Sequence, residues 1–207
     1  MKFNQNDTDT LLNLLSWRRD VRHFETTPIA DDQIEQLLSA IDLSPSVGNS
    51  RPWRFVRVGS DDLKKQVYEN FKSSNASAAG VYSDEELENY NNLKLAGLNE
   101  APLHLAVFTD MEPDLGKGLG RQTMPETLIY STVIAIHNLW LTARTLNIGV
   151  GWVSILKTDD LNTMLDVPDS WQFTGYLCLG YPKFDTEEPE LHQTSWQKNV
   201  KTWWIER

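Results

Sequence analysis

The chain has 207 residues, of which 40% are hydrophobic and 23% charged, and its formal net charge is −10. This length and composition predict one domain spanning residues 1–207, and the acidic balance excludes the broad basic surface that nucleic-acid binding needs. No stretch approaches the ~20 apolar residues of a membrane helix, and the N-terminus lacks a secretion signal. One cysteine, Cys178, and four histidines without ligand-like spacing argue against a disulfide or a zinc site. We therefore expect a cytoplasmic protein without metal, membrane or nucleic-acid partners.

Apolar periodicity and turn residues predict helices and strands along the whole chain. In order, the predicted elements are a helix at 9–19, a helix from Asp31 or Asp32 to just before Pro45, a strand at 53–58, helices at 61–71 and 84–95 with a loop at 73–83 between them, a strand at 103–109, a helix at 125–147, a strand at 150–156, a helix at 158–165 and a strand at 173–179. Four strands with helices before and between them predict an α+β chain in three layers, α/β/α.

Two helices carry informative apolar patterns. The second helix has the i, i+3, i+4, i+7 spacing of one buried face at Ile34, Leu37, Leu38 and Ile41. The apolar residues of the helix at 125–147 cover so much of its circumference that it is predicted to be central and largely buried; they are Val133, Ile134, Ile136, Leu139, Trp140 and Leu141. Pro125 suits the first turn of that helix, and Gly149 suits its stop.

The segment 182–207 follows the last predicted strand and is polar, yet it carries Trp196, Trp203 and Trp204. Three tryptophans in an extension without its own core must be buried against another surface. The extension therefore either wraps back on its own domain or embraces a second subunit. The second arrangement, an intertwined homodimer, is favoured.

Arginines are concentrated in the first third of this acidic chain, at Arg18, Arg19, Arg22, Arg51, Arg54 and Arg57. Such a cluster suits a local anionic ligand such as a phosphate, because guanidinium groups match phosphate oxygens in a bidentate geometry. Solvated surface charge, paired with the nearby Asp31, Asp32 and Glu35, fits the composition equally well.

The segment Arg18-Arg19-Asp20-Val21-Arg22 places much of this charge at the end of the first predicted helix. A carboxylate among arginines is expected to have a lowered pKa and to stay ionised. Asp20 can then accept hydrogen bonds or protons from a ligand that its neighbours hold. Taken alone, the segment favours a structural ion pair between Asp20 and Arg19 or Arg22.

Two further segments allow a ligand to approach the backbone closely. The loop Ser46-Val47-Gly48-Asn49-Ser50 offers hydroxyls and backbone donors, although it also fits a plain turn. The segment Gly149-Val150-Gly151-Trp152-Val153-Ser154 has two glycines, which in strands often mark close approach by a ligand, and Ser154 is either a ligand contact or a locally satisfied hydroxyl. The Gly-x-Gly-x-Gly run at 116–120 lacks the strand–turn–helix context of a dinucleotide site. No Ser–His arrangement for hydrolysis is apparent.

In this order the segments resemble the flavin nitroreductase-like family: an Arg-Arg-x-x-Arg segment after the first helix, a Pro-Ser-x-x-Asn-x-x-Pro-Trp loop, a long central helix and a Gly-x-Gly-Trp strand. The resemblance covers roughly 11–181 and is most specific at 18–22, 118–127 and 149–155. It implies a nitroreductase-like fold with a central, mostly antiparallel sheet. It also implies an FMN-binding homodimer with sites at the subunit interface.

The resemblance assigns roles to individual residues of this chain. The implied FMN contacts are Arg18, Arg19, Asp20, Val21, Arg22, Ser46, Val150, Gly151 and Lys198. The arginines, with Lys198 as a further candidate, serve the phosphate and ribityl region. Asp20 and Ser154 are implied as catalytic: Asp20 assists proton transfers near the ring, and Ser154 hydrogen-bonds near the reacting end of the isoalloxazine.

The aspartate within the arginine segment makes the chain resemble one subgroup of the family, whose members consume their flavin. That likeness implies cleavage of reduced FMN by dioxygen to 5,6-dimethylbenzimidazole and erythrose 4-phosphate, for cobalamin biosynthesis, with a separate flavin reductase supplying reduced FMN. One alternative is an oxidoreductase that retains FMN and passes hydride from NAD(P)H to a nitroaromatic, a quinone or a corrinoid. The other is a silent protein that stores or delivers FMN. Asp20 together with Ser154 favours the first reading.

Overall fold

The computed structural model describes residues 1–79 and 96–207, with side chains at 1–77 and 96–207. The helices are α1 Gln5–Trp17, α2 Asp31–Asp42, α3 Asp61–Ala79, α4 Gly97–Glu100, α5 Thr127–Thr145, α6 Thr158–Met164 and α7 Glu190–Gln193, and the strands are β1 Trp53–Arg57, β2 Leu103–Asp110, β3 Gly149–Val153 and β4 Trp171–Gly180. Short 3-10 turns occupy Val47–Asn49 and Leu115–Gly118. The helix predicted at 84–95 lies outside the described residues.

An antiparallel sheet in the order β1-β2-β4-β3 forms the middle layer. Side chains alternate across it because successive residues of a strand point to opposite faces. Leu177 and Leu179 of β4 pack with α2 and α5 on one face, whereas Tyr176 and Cys178 pack with α3, α4 and α6 on the other. The predicted three-layer α+β fold with a central antiparallel sheet is confirmed.

Helix α1 leads the chain directly into the arginine segment. It begins at Gln5, earlier than predicted, because Asn4 forms a capping box with Asp7: the Asn4 side chain accepts from the Asp7 N–H, and the Asp7 carboxylate accepts from the Asn4 N–H at 2.8 Å. It ends at Trp17, where the Arg18 N–H still donates to the Leu14 carbonyl at 2.9 Å. The end of α1 therefore fixes where the arginines begin.

The loop predicted at 73–83 is wrong over its first part, because α3 continues to Ala79. Serine disfavours helix interiors when its hydroxyl competes for backbone groups. Here the Ser77 hydroxyl donates to the Ser73 carbonyl one turn earlier, at 3.1 Å, so it is satisfied without breaking the helix.

Helix α5 ends at a different residue from the one predicted. Asn147 adopts the left-handed conformation, with φ of 58°, and the Ile148 N–H donates back to the Ala143 carbonyl at 2.8 Å. Asn147 is therefore the stop residue, and Gly149 instead begins β3.

Helix α5 packs into the core as predicted, but it is less completely buried than predicted. One side of α5 packs into the core through Ile136 and Leu139, but Val133 and Ile134 remain exposed on another. The same holds in α2, where Leu38 is exposed although Leu37 and Ile41 are buried. The chain by itself therefore leaves apolar helix surface uncovered.

His104 of β2 is a buried titratable group on the face of the sheet that packs against α3. Its Nδ1 lies 2.9 Å from the Tyr176 hydroxyl and its Nε2 lies 3.0 Å from the Ala101 carbonyl. Burial, together with the charge of Lys64, lowers the pKa of this imidazole to about 4. The unfolded chain takes up the proton first, near pH 6.5. We therefore expect this group alone to lower the free energy of unfolding by about 3 kcal/mol as the pH falls from above 6.5 to below 4.

Urea unfolding at a series of pH values measures this effect, with His104→Gln as the matched variant. Glutamine keeps a donor and an acceptor but cannot titrate, so the variant is expected to lose less stability between pH 6.5 and 4 than the natural chain. Other titrating groups are common to both proteins and cancel in the difference. Equal pH slopes in the two proteins would contradict the assignment.

Candidate flavin and anion site

The arginine segment lies alongside β3 as an added edge. Asp20 and Val150 form a parallel bridge, and the Val21 N–H donates to the Val150 carbonyl at 3.0 Å. This close approach needs glycine on β3: a Cβ at Gly151 would lie 2.2 Å from the Val21 carbonyl oxygen, and one at Gly149 would lie 2.7 Å from the Val21 side chain. The two glycines were expected to admit a ligand, but they admit Val21 instead.

A cavity of about 450 Å³ lies between the arginine segment, α5 and the extension after β4. This volume is within the range of small-molecule sites. Its charged lining consists of Arg18, Arg19, Arg22 and Arg144 with Asp20, Asp185 and Glu190, and its aromatic lining of Trp17, Trp140, Phe184 and the ring of His23. Apolar rings beside a dense set of charges suit a ligand with a planar ring and an anionic group.

Asp20 is held at the wall of this cavity. Its Oδ1 accepts a hydrogen bond from the Trp152 backbone N–H at 2.9 Å, and its Oδ2 lies 3.6 Å from Arg22 Nε. Burial against β3 raises the pKa of the Asp20 carboxyl, and the Trp152 N–H and Arg22 only partly offset the rise. The Asp20 side chain is 39% exposed, and Asp20 lines the cavity. The expected lowering of the pKa was wrong, because it counted neighbouring charges and not the loss of water.

Arg22 is flanked by two carboxylates. Its Nε lies 3.2 Å from Glu190 Oε2 of α7 and 3.6 Å from Asp20 Oδ2. The side chain is 12% exposed, and its Nε makes no hydrogen bond to either carboxylate. Its Nη1 is also buried without a hydrogen-bond acceptor among residues 1–79 and 96–207. A buried guanidinium donor without an acceptor is costly, so this atom is a fitting contact for an acceptor oxygen of a ligand.

The other two arginines of the segment have different surroundings. The Arg18 guanidinium lies over the Trp140 ring, 5.0 Å from its centroid, and pairs with no carboxylate of the described residues. The Arg19 guanidinium donates to the backbone carbonyls of Ser16 and Glu187, which ties the extension to the end of α1. Of these two, Arg18 therefore has the charge that is free to meet an anion.

The remaining predicted site residues do not line the cavity. Val150 and Gly151 are buried beneath Val21. Ser154 is exposed just after β3, and Lys198 is exposed in the extension. The Ser46 hydroxyl accepts from the Arg51 N–H at 3.0 Å in a loop on another side of the chain. One chain thus brings together the segment 18–22 and leaves Ser46, Ser154 and Lys198 apart from it.

The wider arginine cluster divides in the structure. Arg51 and Arg54 pair with Asp42 and Asp110, away from the cavity, as the alternative of paired surface charge requires, although the acids are not 31, 32 and 35. The glycine run at 116–120 packs on the loop at 46–50: a Cβ at Gly48 would lie 2.8 Å from the Leu119 carbonyl oxygen. It is a loop–loop contact, in keeping with its rejection as a dinucleotide site.

Sequence reasoning missed the acidic part of the extension. Asp185 pairs with Arg144 at 2.8 Å, and Glu190 pairs with Arg22. The available signal was charge complementarity, since Asp185, Glu187, Glu188 and Glu190 form an acidic run after β4, opposite in sign to the arginine segment.

Over the described ranges, no group of three or more His, Cys, Asp or Glu side chains is arranged to hold a metal ion. No helix within those same ranges has the length and apolar character needed to cross a membrane.

A family model described as "Nitroreductase family" matches residues 15–181. The chain belongs to the nitroreductase family, which confirms the resemblance found in its sequence. It is similar to a Rhodobacter capsulatus protein named 5,6-dimethylbenzimidazole synthase, with 47% identity over 207 residues that cover 100% of both chains. A Rhodospirillum rubrum protein of the same name is 49% identical, and the match covers 94% of this chain and 92% of that one.

Solved structures share the fold at lower identity. An iodotyrosine deiodinase solved with FMN and 3-iodo-L-tyrosine superposes with a TM-score of 0.73 at 20% identity, over 95% of this chain and 97% of that chain. A putative NADH oxidase from Clostridium acetobutylicum superposes with a TM-score of 0.62 at 21% identity, over 84% and 90% of the two chains. These likenesses concern the fold.

Proposed function

We propose that this chain is a 5,6-dimethylbenzimidazole synthase, which cleaves reduced FMN with dioxygen to 5,6-dimethylbenzimidazole and erythrose 4-phosphate. The observation that carries the proposal is the 47% and 49% identity, over nearly the whole chain, to two proteins of that name. The product implies a role in cobalamin biosynthesis. A carboxyl group in the cavity at Asp20 supports the proposal, because fragmentation of a flavin requires directed proton transfer.

The cavity residues fit a flavin phosphate. Arg18 is without a carboxylate partner in the described chain, and Arg22 has a buried donor without an acceptor. In this proposal Arg18 and Arg22 serve the phosphate and ribityl region, and Arg19 holds the extension beside them. Lys198, which is exposed outside the cavity of one chain, stays a further candidate for the phosphate. The ring system of Trp140 and the backbone of Val21 pack against the ligand.

Reduced FMN, when bound, supplies the electrons that dioxygen takes up and the ring that becomes the product. The protein's own contribution is then positioning and proton transfer. Asp20 holds or accepts a proton at its carboxyl oxygen while Trp152 N–H fixes the other oxygen. Ser154, at the end of β3, is proposed to hydrogen-bond near the reacting end of the ring.

The completed site is proposed to form in a homodimer. Apolar side chains left exposed by one chain are Leu11, Leu12 and Leu15 of α1, Tyr130, Val133 and Ile134 of α5, and Val200, Trp203, Trp204 and Ile205 of the extension. Exposed apolar surface of this extent favours a protein partner, and a second copy would cover it and supply Ser46 to the site. Light scattering tests the dimer, and a monomeric mass would contradict it.

Incubation of the purified protein with chemically reduced FMN in air tests the proposed function. Chromatography and mass spectrometry should show flavin lost in step with the appearance of 5,6-dimethylbenzimidazole. Intact oxidised FMN after prolonged incubation would overturn the proposal. Oxidation of NAD(P)H with a nitroaromatic acceptor and unchanged flavin would support a retained-FMN oxidoreductase instead. A separate reductase is proposed to supply reduced FMN to this protein. The proposed location is the cytoplasm, a reducing compartment in which a free thiol such as that of the buried Cys178 persists.

Arg18→Gln is expected to weaken FMN binding by roughly 10-fold or more, since a charge-assisted hydrogen bond contributes about 1.5–3 kcal/mol. Riboflavin lacks the phosphate, so its affinity should change little. Flavin fluorescence titration measures both affinities, and Arg57→Gln, at an exposed position on β1, is the matched control. Equal weakening of FMN and riboflavin would show that Arg18 does not serve the phosphate.

A further inference from the structure

Three charged side chains lie close together in the lining of the cavity. Asp20, Arg22 and Glu190 come from the arginine segment and from α7; Arg22 Nε lies 3.6 Å from Asp20 Oδ2 and 3.2 Å from Glu190 Oε2, within ion-pair distance of both and hydrogen-bonded to neither. One positive and two negative charges leave this group with a net negative charge when all are ionised. Arg22 therefore cannot neutralise Asp20 fully while Glu190 is beside it.

We propose that Glu190 is a positioning residue for Asp20: as a second carboxylate at ion-pair distance from Arg22 Nε, it shares the charge of the guanidinium with the Asp20 carboxyl and so keeps that carboxyl ready to carry a proton. The importance of this for the reaction rests on the proposed function. The effect of Glu190 on the protonation of Asp20 does not rest on it, because that protonation can be measured in the protein without flavin.

The contacts of the extension support this role, because they hold α7 in place independently of Glu190. Lys183 Nζ lies 2.8 Å from Glu100 Oε1, Arg144 Nη1 lies 2.8 Å from Asp185 Oδ1, and Arg19 donates to the Glu187 carbonyl. These three attachments precede Glu190 in the chain. They bring its carboxylate to Arg22 without help from the Arg22 pair itself.

Among the described residues, the charged side chains that change the pKa of the Asp20 carboxyl are those of Arg22 and Glu190. Arg22 of its own segment favours the carboxylate, and Glu190 of α7 disfavours it. Cys178 of β4 is also near, but burial raises the pKa of its thiol, so it is neutral and does not compete. From β3, Asp20 receives the Trp152 backbone N–H, which carries no charge. Glu190 is therefore the acidic neighbour whose removal is expected to change how readily Asp20 is protonated.

The Trp152 amide gives a direct readout, because it donates to Asp20 Oδ1 and its NMR shift should follow the protonation of that carboxyl. Protein without flavin, labelled with ¹⁵N-tryptophan, is titrated with acid and base. Glu190→Gln should move the Trp152 midpoint to lower pH by about half a unit or more, since it removes a like charge and frees Arg22 for Asp20. Glu188→Gln removes the same charge from the same segment and should leave the midpoint unchanged.

Glu190→Asp separates charge from packing, because it keeps the carboxylate on a shorter side chain. A midpoint near that of the natural chain supports the proposal. A midpoint lowered as far as in Glu190→Gln would show that Glu190 only anchors the extension, and no shift in Glu190→Gln beyond that of Glu188→Gln would equally overturn it. Failure to form 5,6-dimethylbenzimidazole would instead refute the proposed function and leave this titration unaffected.

In the working enzyme the same change has a kinetic signature. Whichever protonation state of Asp20 the reaction uses, Glu190→Gln should move the corresponding limb of the pH–rate profile to lower pH. A purely structural role would lower the rate at every pH without moving the limb.

Discussion

Asp20→Asn is expected to lower the rate of 5,6-dimethylbenzimidazole formation at least about 100-fold, the usual range for loss of a positioned acid or base. FMN affinity should change by less than about threefold, because a transition-state contribution is lost without a loss of ground-state binding. The asparagine side-chain oxygen can still accept from the Trp152 N–H, so the segment should stay on β3. Removal of a negative charge near Arg22 does not oppose phosphate binding.

Single-turnover reaction of preformed complex with dioxygen measures the rate, and fluorescence titration measures affinity. Asp159→Asn is the matched control, since it makes the same chemical change at an exposed position of α6 outside the cavity. It should react as the natural chain does. If Asp20→Asn formed product at the natural rate, Asp20 would have no catalytic role and would be only an ion-pair partner of Arg22. Loss of FMN binding in that variant would assign it to recognition.

The fold was largely predictable because its signals are local. Apolar runs and turn residues located β1, β2, β3 and β4, and the periodicity of α2 and α5 located both helices. The wrong predictions are those that depend on contacts with parts of the protein outside the helix or strand concerned. Val133 and Ile134 fit a buried helix by composition, but whether a face is covered depends on a surface elsewhere in the chain or on a partner.

The site was less predictable because its contacts join distant parts of the chain. The Trp152 N–H reaches Asp20 across 132 positions, and Arg19 reaches the Glu187 carbonyl across 168. The sign of the Asp20 pKa shift depends on burial by β3, which neighbouring residues in the sequence do not reveal. The motif at 18–22 could therefore be recognised, whereas Glu190 became visible only after the extension was placed beside it.

Gly151→Ala should have the largest effect on stability, because the methyl group would lie 2.2 Å from the Val21 carbonyl oxygen. That oxygen belongs to the backbone and cannot rotate aside, so the segment must move off β3. The move strains the Val21–Val150 hydrogen bond of 3.0 Å and the Trp152–Asp20 hydrogen bond of 2.9 Å. We expect the free energy of unfolding to fall by about 3 kcal/mol, from overpacking and weakened hydrogen bonds together.

Denaturant unfolding measures this loss, and Gly59→Ala is the matched control because a Cβ there meets no atom within 4 Å. The control should change stability by less than about 0.5 kcal/mol. Gly151→Ala should also weaken FMN binding and move the Trp152 amide signal, since Asp20 and Arg22 shift with Val21. Unchanged stability with an unchanged Trp152 signal would contradict the account in which glycine on β3 sets the position of the arginine segment. A loss of stability with unchanged FMN binding would show that the packing of Val21 on β3 is not needed to bind the flavin.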